Sequence, residues 1–212
     1  MVTKIVFLDC DGTLTKVKSS WEYLHRRLEL WTENADEYQK LFRQGRIDYH
    51  EFCRRDALLW RGLSLDDVMP IIYDIPYQPG APELVTSLKK AGITTVIVST
   101  GLSLLVNRVK NELGIDHAFS NDLLVTNYIL SGGIRINVDY DMKGKIVRDM
   151  LRDLGLGTHE ACAIGDGEGD KGMFEEVGLP IGFNINGGSA TFPGRTQYIK
   201  ELAEAKYILK VD

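Results

Sequence analysis

The sequence predicts an α/β fold: a doubly wound, Rossmann-like and mostly parallel sheet, with a small α-helical cap inserted after the first strand and a β-hairpin excursion further along. Three observations indicate this class. Short, continuously apolar segments alternate with segments of helical period. A long stretch near the N-terminus contains no strand-like segment. A later stretch places two apolar runs around a glycine-containing turn.

Four short segments are apolar almost throughout, a pattern typical of parallel strands covered on both faces. They are Lys4–Leu8, Ile93–Val98, Ala161–Ile164 and Leu179–Phe183. Segments of helical spacing lie between them, and each closes at a glycine: residues 79–92, 103–114 and 143–155. In the last of these we expect the apolar face to run through Ile146, Met150 and Leu154. Strands alternating with such helices predict crossover connections and a doubly wound sheet.

Two regions interrupt the alternation. Residues 18–76 hold all three tryptophans and show helical spacing, so we expect a helical cap domain with tryptophans in its core. Residues 1–17 and 77–212 then form the α/β core domain. In residues 123–138, apolar runs flank the sequence Ser131-Gly132-Gly133, which predicts a β-hairpin that turns at these glycines.

Composition narrows the class of function. The chain has 212 residues and a formal net charge of −5, which argues against nucleic-acid binding. No apolar run approaches the roughly 20 residues of a membrane span, and the run at residues 5–8 is too short for a signal peptide. The three cysteines, Cys10, Cys53 and Cys162, are far apart, so we expect no disulfide framework or zinc cluster. A cytoplasmic monomer or homodimer without a membrane partner is the expectation.

Polar residues follow three predicted strands at the point where each strand ends. Asp9 and Asp11 follow the first strand, Ser99-Thr100-Gly101 the second, and the glycine-rich acidic run 165–170 the third, while Lys143 begins a predicted helix. The carboxyl ends of parallel strands meet at one edge, so we expect one cleft. Several carboxylates in one cleft need a cation, and oxygen ligands suit Mg²⁺. A hydroxyl, an ammonium and glycine N–H groups suit a phosphate.

Four segments of the chain resemble, in the right order, the four motifs of the haloacid dehalogenase superfamily: "DCDGTLT", "VIVSTG", "KGKIV" and "GDGEGDKGMFEEVGLPIGF". The resemblance covers the whole chain, and the predicted cap lies where that family inserts its first type of cap. The subgroup it resembles most is the phosphoserine phosphatase-like proteins. Because members are mostly Mg²⁺-dependent phosphohydrolases, the resemblance implies hydrolysis of a small-molecule phosphate ester.

The resemblance also implies a role for each matching residue. Asp9 is the implied nucleophile that forms an aspartyl-phosphate, and Asp11 the implied general acid and then general base. Thr13 is implied to orient Asp11 through a hydrogen bond. The remaining implied roles are phosphate binding by Ser99, Thr100, Gly101 and Lys143, metal binding by Asp9, Asp11 and Asp166, and support of the site by Asp170.

The chain departs from that subgroup in its predicted cap. In phosphoserine phosphatases an acidic cap residue binds the substrate amine and an arginine binds its carboxylate. These positions fall near Lys18 and Asp56 here, with both charges reversed, although a small shift of register would bring Glu22 or Arg55 to them. Gly169 also stands where the subgroup usually has asparagine. The resemblance therefore implies phosphate chemistry and leaves the substrate open.

Several functions remain compatible with these residues. A Mg²⁺-dependent phosphomonoester hydrolase is the first. The alternatives are a phosphotransferase that uses the same intermediate, phosphoserine phosphatase proper, and a catalytically quiet phosphate-binding regulatory protein. A dehalogenase would not need Asp11. Taken singly, "DGT" is also a common turn, and Ser99 could be an ordinary helix N-cap.

Overall fold

A computed structural model describes residues 2–31, 33–185 and 192–212 of the chain, apart from the side chains of residues 33 and 34. Its strands are β1 Ile5–Leu8, β2 Thr94–Leu102, β3 His117–Thr126, β4 Ile129–Arg135, β5 Ala161–Gly165, β6 Leu179–Phe183 and β7 Gln197–Ile199. They form one sheet in the order β4-β3-β2-β1-β5-β6-β7, in which only β3 and β4 are antiparallel neighbours. The predicted α/β fold with a mostly parallel sheet is confirmed.

The central strand β1 explains why its sequence is apolar throughout. It pairs with β2 on one side and with β5 on the other, and its four side chains are fully buried. Successive side chains of a strand point to opposite faces. Val6 and Leu8 therefore join the apolar cluster on one face of the sheet, and Ile5 and Phe7 join the cluster on the other.

The helices of the described residues are α1 Ser20–Arg27, α2 Glu33–Arg43, α3 Tyr49–Leu59, α4 Leu65–Tyr73, α5 Ala81–Lys90, α6 Ser103–Leu113, α7 Lys143–Leu154, α8 Lys171–Glu175 and α9 Leu202–Leu209. The three helices predicted from spacing are confirmed as α5, α6 and α7. Two of them end where Gly114 and Gly155 adopt left-handed backbone conformations, with φ of 67° and 65°. Glycine has no Cβ to oppose that conformation.

Four helices, α1 to α4, lie between β1 and α5, in the stretch where no strand was predicted. Trp21 and Trp60 stack there with ring centroids 5.3 Å apart, and both are buried. They belong to the same apolar cluster as Leu8 and Leu102 of the sheet. The helical insertion therefore packs directly onto the end of the sheet that bears the polar motifs.

The predicted turn of the hairpin is wrong. β3 and β4 turn at Asn127-Tyr128, where Thr126 pairs with Ile129 and both turn residues have positive φ. A two-residue turn with positive φ at both positions matches the right-handed twist of the strands. Gly132 instead lies within β4, where an added Cβ would be 2.8 Å from the Cβ of Arg61. It permits the close approach of the insertion to the strand.

The apolar face predicted for α7 is also shifted. Val147 and Leu151 are the apolar side chains of α7 that are buried, whereas Leu154 is half exposed. Ile146 and Met150 are only partly buried. The buried face of α7 therefore runs from Lys143 and Gly144 through Val147 and Leu151.

Two expectations from composition can be compared with the structure. Cys10, Cys53 and Cys162 are buried and unbridged. Among the helices of residues 2–31, 33–185 and 192–212, none combines the length and the apolar character needed to cross a bilayer.

Candidate active site

The carboxyl ends of β2, β1 and β5 are neighbours in the sheet and bring the predicted polar residues together. Asp9 is the first residue after β1, and its backbone N–H donates to the Ile164 carbonyl of β5 at 2.9 Å. The side chain of Asp9 is buried. The chain therefore leaves the sheet with a carboxylate fixed between two strand ends.

Lys143 is buried at the start of α7 and connects two carboxylates. Its Nζ donates to Asp9 Oδ1 at 2.6 Å and to Asp170 Oδ1 at 2.7 Å. Burial alone would lower the pKa of Lys143, but the charges of Asp170 and Asp9 outweigh it and raise the pKa above the usual range. The ammonium therefore stays charged, and the three side chains form one buried ionic group.

Asp170 holds the acidic loop after β5 as well as Lys143. Its Oδ2 accepts hydrogen bonds from the backbone N–H groups of Asp166 at 2.9 Å and Gly167 at 3.1 Å. All of its oxygens thus have partners, and the loop that presents Asp166 is tied to the buried ionic group.

Two glycines allow α7 and α8 to touch backbone to backbone. A Cβ added to Gly144 would lie 2.7 Å from the Gly172 carbonyl oxygen, and one added to Gly172 would lie 3.1 Å from the Gly144 nitrogen. Gly144 immediately follows Lys143, and Gly172 lies two residues beyond Asp170. The close contact therefore keeps the two partners of the 2.7 Å ion pair in place.

Asp9, Asp166 and Asp170 each offer a carboxylate oxygen within 4.8 Å of the others, an arrangement that could hold a metal ion. Burial raises the pKa of Asp9 well above its usual range; Lys143 opposes this effect, and the charges of Asp170 and Asp166 add to it. Burial raises the pKa of Asp166 in the same direction, although Lys18, which donates to its Oδ2, opposes the shift. Clustered acids of this kind are stabilised as carboxylates by a bound cation.

Asp11 lies apart from that group and has its own support. Its Oδ2 accepts from the Ser20 N–H at 2.6 Å and from the Ser20 hydroxyl at 2.7 Å. No donor of the described residues contacts its buried Oδ1. Burial raises the pKa of Asp11, and the two bonds from Ser20 oppose the rise.

The hydrogen bond to Asp11 that was predicted for Thr13 is made by Ser20 instead. Ser20 was not among the residues predicted from the sequence. Thr13 Oγ1 donates to Asp166 Oδ1, at 3.5 Å, and Ser20 orients Asp11 instead. Ser19 is the N-cap of α1 and accepts from Glu22 N–H, which frees Ser20 to turn toward Asp11. A pair of serines at a helix start, a few residues after the two aspartates, was the available signal.

The Ser99-Thr100-Gly101 segment closes the other side of the site. Ser99 is buried, and its Oγ accepts from Gly101 N–H at 3.0 Å, which leaves the hydroxyl hydrogen to donate elsewhere. A Cβ on Gly101 would lie 2.9 Å from Asp11 Oδ2 and 3.0 Å from the hydroxyls of Ser20 and Ser99. The glycine therefore allows three functional side chains to converge.

A cavity of about 260 Å³ lies between the insertion and the sheet. It is lined by Ser19, Trp21, Glu22, Trp31, Ala35, Gln39, Phe42, Arg43, Tyr49, Phe52, Asp56, Thr100 and Tyr140. Thr100 belongs to the strand-end site, and its carbonyl accepts from Trp21 Nε1 at 3.3 Å and from the Tyr49 hydroxyl at 3.1 Å. The wall of the cavity is thus hydrogen-bonded to the segment beside Ser99.

The cap residues that depart from the subgroup lie in different places. Asp56 and Glu22 line the cavity, whereas Lys18 extends to Asp166. Arg55 does not line it: its Nε donates to Glu51 at 2.7 Å, and its guanidinium lies over the ring of Tyr38. The buried charge that the insertion presents to the cavity is therefore the Asp56 carboxylate.

Comparison with known proteins shows the family. The haloacid dehalogenase-like hydrolase family matches residues 6–175. Phosphoserine phosphatase from Archaeoglobus fulgidus is 35% identical over 185 residues, which cover 85% of this chain and 52% of that protein, so the chain spans about half of that relative. Phosphoserine phosphatase from Methanocaldococcus jannaschii is 30% identical over 181 residues, which cover 85% of this chain and 85% of that protein.

A solved structure of similar shape is a phospho-aspartyl intermediate analogue of phosphoserine phosphatase. It is 25% identical to this chain and has a TM-score of 0.80, and the match covers 98% of this chain and 99% of that one. The chain belongs to the haloacid dehalogenase-like hydrolase family.

Proposed function

We propose that the protein is a Mg²⁺-dependent phosphomonoester hydrolase that acts on a small phosphorylated metabolite through an aspartyl-phosphate on Asp9. The observation that carries this proposal is the pairing of two carboxylates with different surroundings. Asp9 is bound to the buried ammonium of Lys143, whereas Asp11 is bound by neutral donors of Ser20. A cationic partner favours an ionised nucleophile, and neutral donors leave a carboxyl able to exchange a proton. The family and its phosphatase members support the same activity.

The chemistry follows from these environments. An oxygen of Asp9 attacks phosphorus, the bond from phosphorus to the alcohol oxygen breaks, and Asp11 gives its proton to that oxygen. Asp11 then takes a proton from the water that attacks the aspartyl-phosphate, which frees Asp9 and releases inorganic phosphate. Ser99, Lys143 and the N–H group of Thr100 bind the phosphoryl oxygens as charge redistributes, while the Gly101 N–H holds Ser99 Oγ at 3.0 Å.

The donor set fits a hard divalent cation. Carboxylate oxygens of Asp9 and Asp166, together with the backbone carbonyl of Asp11, would hold Mg²⁺, while Asp170, the third carboxylate of the cluster, keeps the loop and Lys143 in position. When bound, the ion supplies positive charge that offsets the negative charge of the phosphoryl group. Lys18 donates to Asp166 and is 67% exposed, so this side chain can leave when a cation binds.

We infer that residues 18–76 act as a cap over the core formed by residues 1–17 and 77–212. The aromatic side chains of the insertion lie over Thr100, next to Ser99. A lid in this position excludes water from the phosphoryl transfer and limits the substrate to small molecules.

Phosphoserine is the specific substrate that the relatives favour, because the named curated proteins are phosphoserine phosphatases. A transferase would use the same intermediate with an alcohol in place of water. Added alcohols that divert the phosphoryl group to a new ester would favour this alternative over hydrolysis.

The decisive experiment is release of p-nitrophenol and of inorganic phosphate from p-nitrophenyl phosphate and a panel of metabolite phosphates, with Mg²⁺ and with EDTA. We expect metal-dependent release that Asp9→Asn lowers at least about 10³-fold. The matched control is Asp153→Asn, an exposed carboxylate outside the site, which should change the rate little. Metal-independent release, or equal rates in both variants, would contradict the proposal. No turnover of any ester by the folded wild-type protein would favour a quiet phosphate-binding protein.

A further inference from the structure

Three donors converge on one backbone carbonyl beside the strand-end site, that of Thr100. It accepts from Trp21 Nε1 at 3.3 Å, from the Tyr49 hydroxyl at 3.1 Å and from Asn121 Nδ2 at 3.1 Å. A carbonyl oxygen has two lone pairs, so three donors together restrict its direction closely. Trp21 and Tyr49 belong to the insertion, whereas Asn121 belongs to β3 of the sheet.

The carbonyl lies where β2 bulges. Val98 pairs with Phe119 and Leu102 pairs with Asn121, so β2 advances four residues where β3 advances two. A bulge disrupts the hydrogen-bond ladder locally and redirects the chain. The segment from residue 99 to residue 101 is therefore shaped by side chains that contact it as well as by its neighbouring strand.

The amide of Asn121 settles where the Tyr49 hydroxyl hydrogen points. Its Oδ1 accepts from the backbone N–H groups of Asn137 and Val138, each at 2.9 Å, which fixes the orientation of the amide. Its Nδ2 therefore faces the Tyr49 hydroxyl, at 3.1 Å. Because an amide nitrogen donates and does not accept, the hydrogen of Tyr49 goes to the Thr100 carbonyl.

The same peptide group reaches the phosphate-binding hydroxyl at its other end. The carbonyl of Thr100 and the N–H of Gly101 belong to one planar unit, so the orientation of one fixes that of the other. The Gly101 N–H donates to Ser99 Oγ at 3.0 Å. This bond occupies a lone pair of the hydroxyl and limits the directions in which its hydrogen can donate.

Packing holds the ring of Tyr49 in place. The side chain is buried, and its ring centroid lies 5.9 Å from that of Phe42 and 6.1 Å from that of Tyr140. Aromatic pairs at such distances stabilise one another. A hydroxyl on a fixed ring loses little conformational freedom when it bonds, so it can set the direction of the carbonyl that it contacts.

We propose that Tyr49 is a positioning residue for Ser99. Its hydroxyl orients the peptide between Thr100 and Gly101, and that peptide orients the Ser99 hydroxyl that binds the phosphoryl group. Trp21 supports the same carbonyl through a longer bond. Because both donors belong to the insertion, Ser99 is fully oriented only while the insertion lies over the site. This inference rests on the phosphomonoester hydrolysis proposed above and adds a connection from the insertion to the phosphate-binding segment.

A double-mutant cycle on Tyr49 and Ser99 tests this connection. Tyr49→Phe removes the hydroxyl and keeps the ring, so kcat/KM for one ester with Mg²⁺ should fall about 5- to 10-fold, within the range for one hydrogen bond. In a protein that already carries Ser99→Ala, adding Tyr49→Phe should lower kcat/KM less than about twofold, because the hydroxyl that it positions is gone. Equal factors in the two backgrounds would overturn the proposal, since Tyr49 would then act independently of Ser99. An unchanged kcat/KM in the single variant would overturn it as well.

Tyr23→Phe is the matched control. Tyr23 also belongs to the insertion, and its hydroxyl accepts from Arg27 at 3.2 Å within α1. We expect kcat/KM to stay within about twofold of its value in each background. A loss equal to that of Tyr49→Phe would contradict the proposal, because the effect would not depend on the contact with Thr100.

The affinity for inorganic phosphate separates this proposal from the proposed hydrolysis. Calorimetry with Mg²⁺ needs no turnover, and Tyr49→Phe should weaken phosphate binding about fivefold alone and less than about twofold when combined with Ser99→Ala. This coupling in a protein that hydrolyses no ester would support the positioning and count against the hydrolysis. Normal hydrolysis without the coupling would count against the positioning alone, and a wild type that binds no phosphate would overturn both.

Trp21→Phe keeps the proposal testable if Tyr49→Phe does not fold. It removes the other donor that the insertion supplies to the Thr100 carbonyl. Because that bond is longer, we expect a smaller loss of kcat/KM, about 2- to 5-fold, which should again vanish when Ser99→Ala is present. Equal losses in both backgrounds would overturn the proposal here too.

Discussion

The strand-end site and the insertion both contain buried charged side chains, but in the part of the chain that the structure describes only the strand-end site contains an ionic group, Lys143 with Asp9 and Asp170, whose members are paired with one another. Lys143 bonds to Asp9 and Asp170, and Asp170 binds two backbone N–H groups as well. In the described residues, three buried side-chain atoms have no partner: Asp11 Oδ1, His25 Nε2 and Asp56 Oδ1. The first belongs to the strand-end site, and the other two face each other inside the insertion at 3.7 Å. The core thus carries an internally paired ionic group, and the unpartnered buried atoms of the described residues lie outside that group.

Removal of the ammonium should break the completed site with the largest effect. Lys143→Met leaves two buried carboxylates facing each other, so we expect the free energy of unfolding to fall by about 3–5 kcal/mol, together with loss of activity. Lys145→Met is the control, because Lys145 makes an exposed ion pair with Asp149 whose loss should cost less than about 0.5 kcal/mol. Urea denaturation without added metal measures both. Equal losses for the two variants would show that the buried group is not internally balanced.

Trp60→Phe tests the packing of the cavity side. It removes the N–H that His25 accepts and part of the stack on Trp21, so we expect a loss of about 1–3 kcal/mol in the free energy of unfolding. Trp31→Phe serves for comparison, since Trp31 is only partly buried, and should cost less. Thermal and urea unfolding measure the difference. A lower stability of the Trp31 variant would contradict this prediction, because it would mean that the partly buried Trp31 stabilises the insertion more than the buried Trp60.

Ser20→Ala should weaken the support of Asp11, the proposed proton-transfer residue, and leave the ion pairs of Lys143 intact. It removes one of the two bonds to Asp11 Oδ2 and keeps the backbone N–H, so we expect kcat to fall about tenfold, or ~1.4 kcal/mol in activation free energy. Ser64→Ala removes a helix N-cap on α4 and should lower stability without that change in kcat. Steady-state kinetics with one ester separates the two, and an unchanged kcat in Ser20→Ala would contradict the assigned support.

Asp116 lies at the end of the sheet opposite the strand-end site, and its carboxylate accepts hydrogen bonds from Thr95. Burial alone would raise its pKa, but hydrogen bonds from the N–H and hydroxyl of Thr95 outweigh this and lower it. A lowered folded pKa means that the stabilisation is complete above the unfolded pKa and is lost as the pH falls through the folded pKa. Asp116→Asn should therefore cost at most about 1 kcal/mol at pH 7, because the residue is exposed, and less in acid. Unfolding curves at pH 7 and pH 3 check this; a difference that grows in acid would reverse the sign.

The sequence predicted strands well where burial on both faces makes them continuously apolar, as in β1, β5 and β6. It missed the first part of β3, residues 117–122, because buried Asn121 interrupts the apolar pattern. That side chain is satisfied by donating to the Thr100 and Val138 carbonyls, contacts that only the folded sheet provides. The hairpin turn was misplaced because Gly132-Gly133 is a stronger local signal than Asn127-Tyr128.

The residues at the strand ends could be found from the sequence, because parallel strands place their carboxyl ends together wherever the polar residues occur. The support of Asp11 by Ser20 could not, since it depends on where α1 begins. The placement of buried His25 between Trp60 and Asp56 could not either. It depends on how α1 and α3 pack, and no periodicity of the sequence records that packing.

The close contact of Gly144 with Gly172 has a consequence for redesign. Since a side chain at Gly144 would meet backbone that cannot yield, replacing it by alanine would separate the two helices and with them the ammonium from its carboxylate. A library that seeks new specificities can vary the aromatic side chains that the insertion contributes to the cavity, such as Trp31 and Phe52. The pair of glycines is the part that any transplant of the catalytic group to another scaffold would have to carry along.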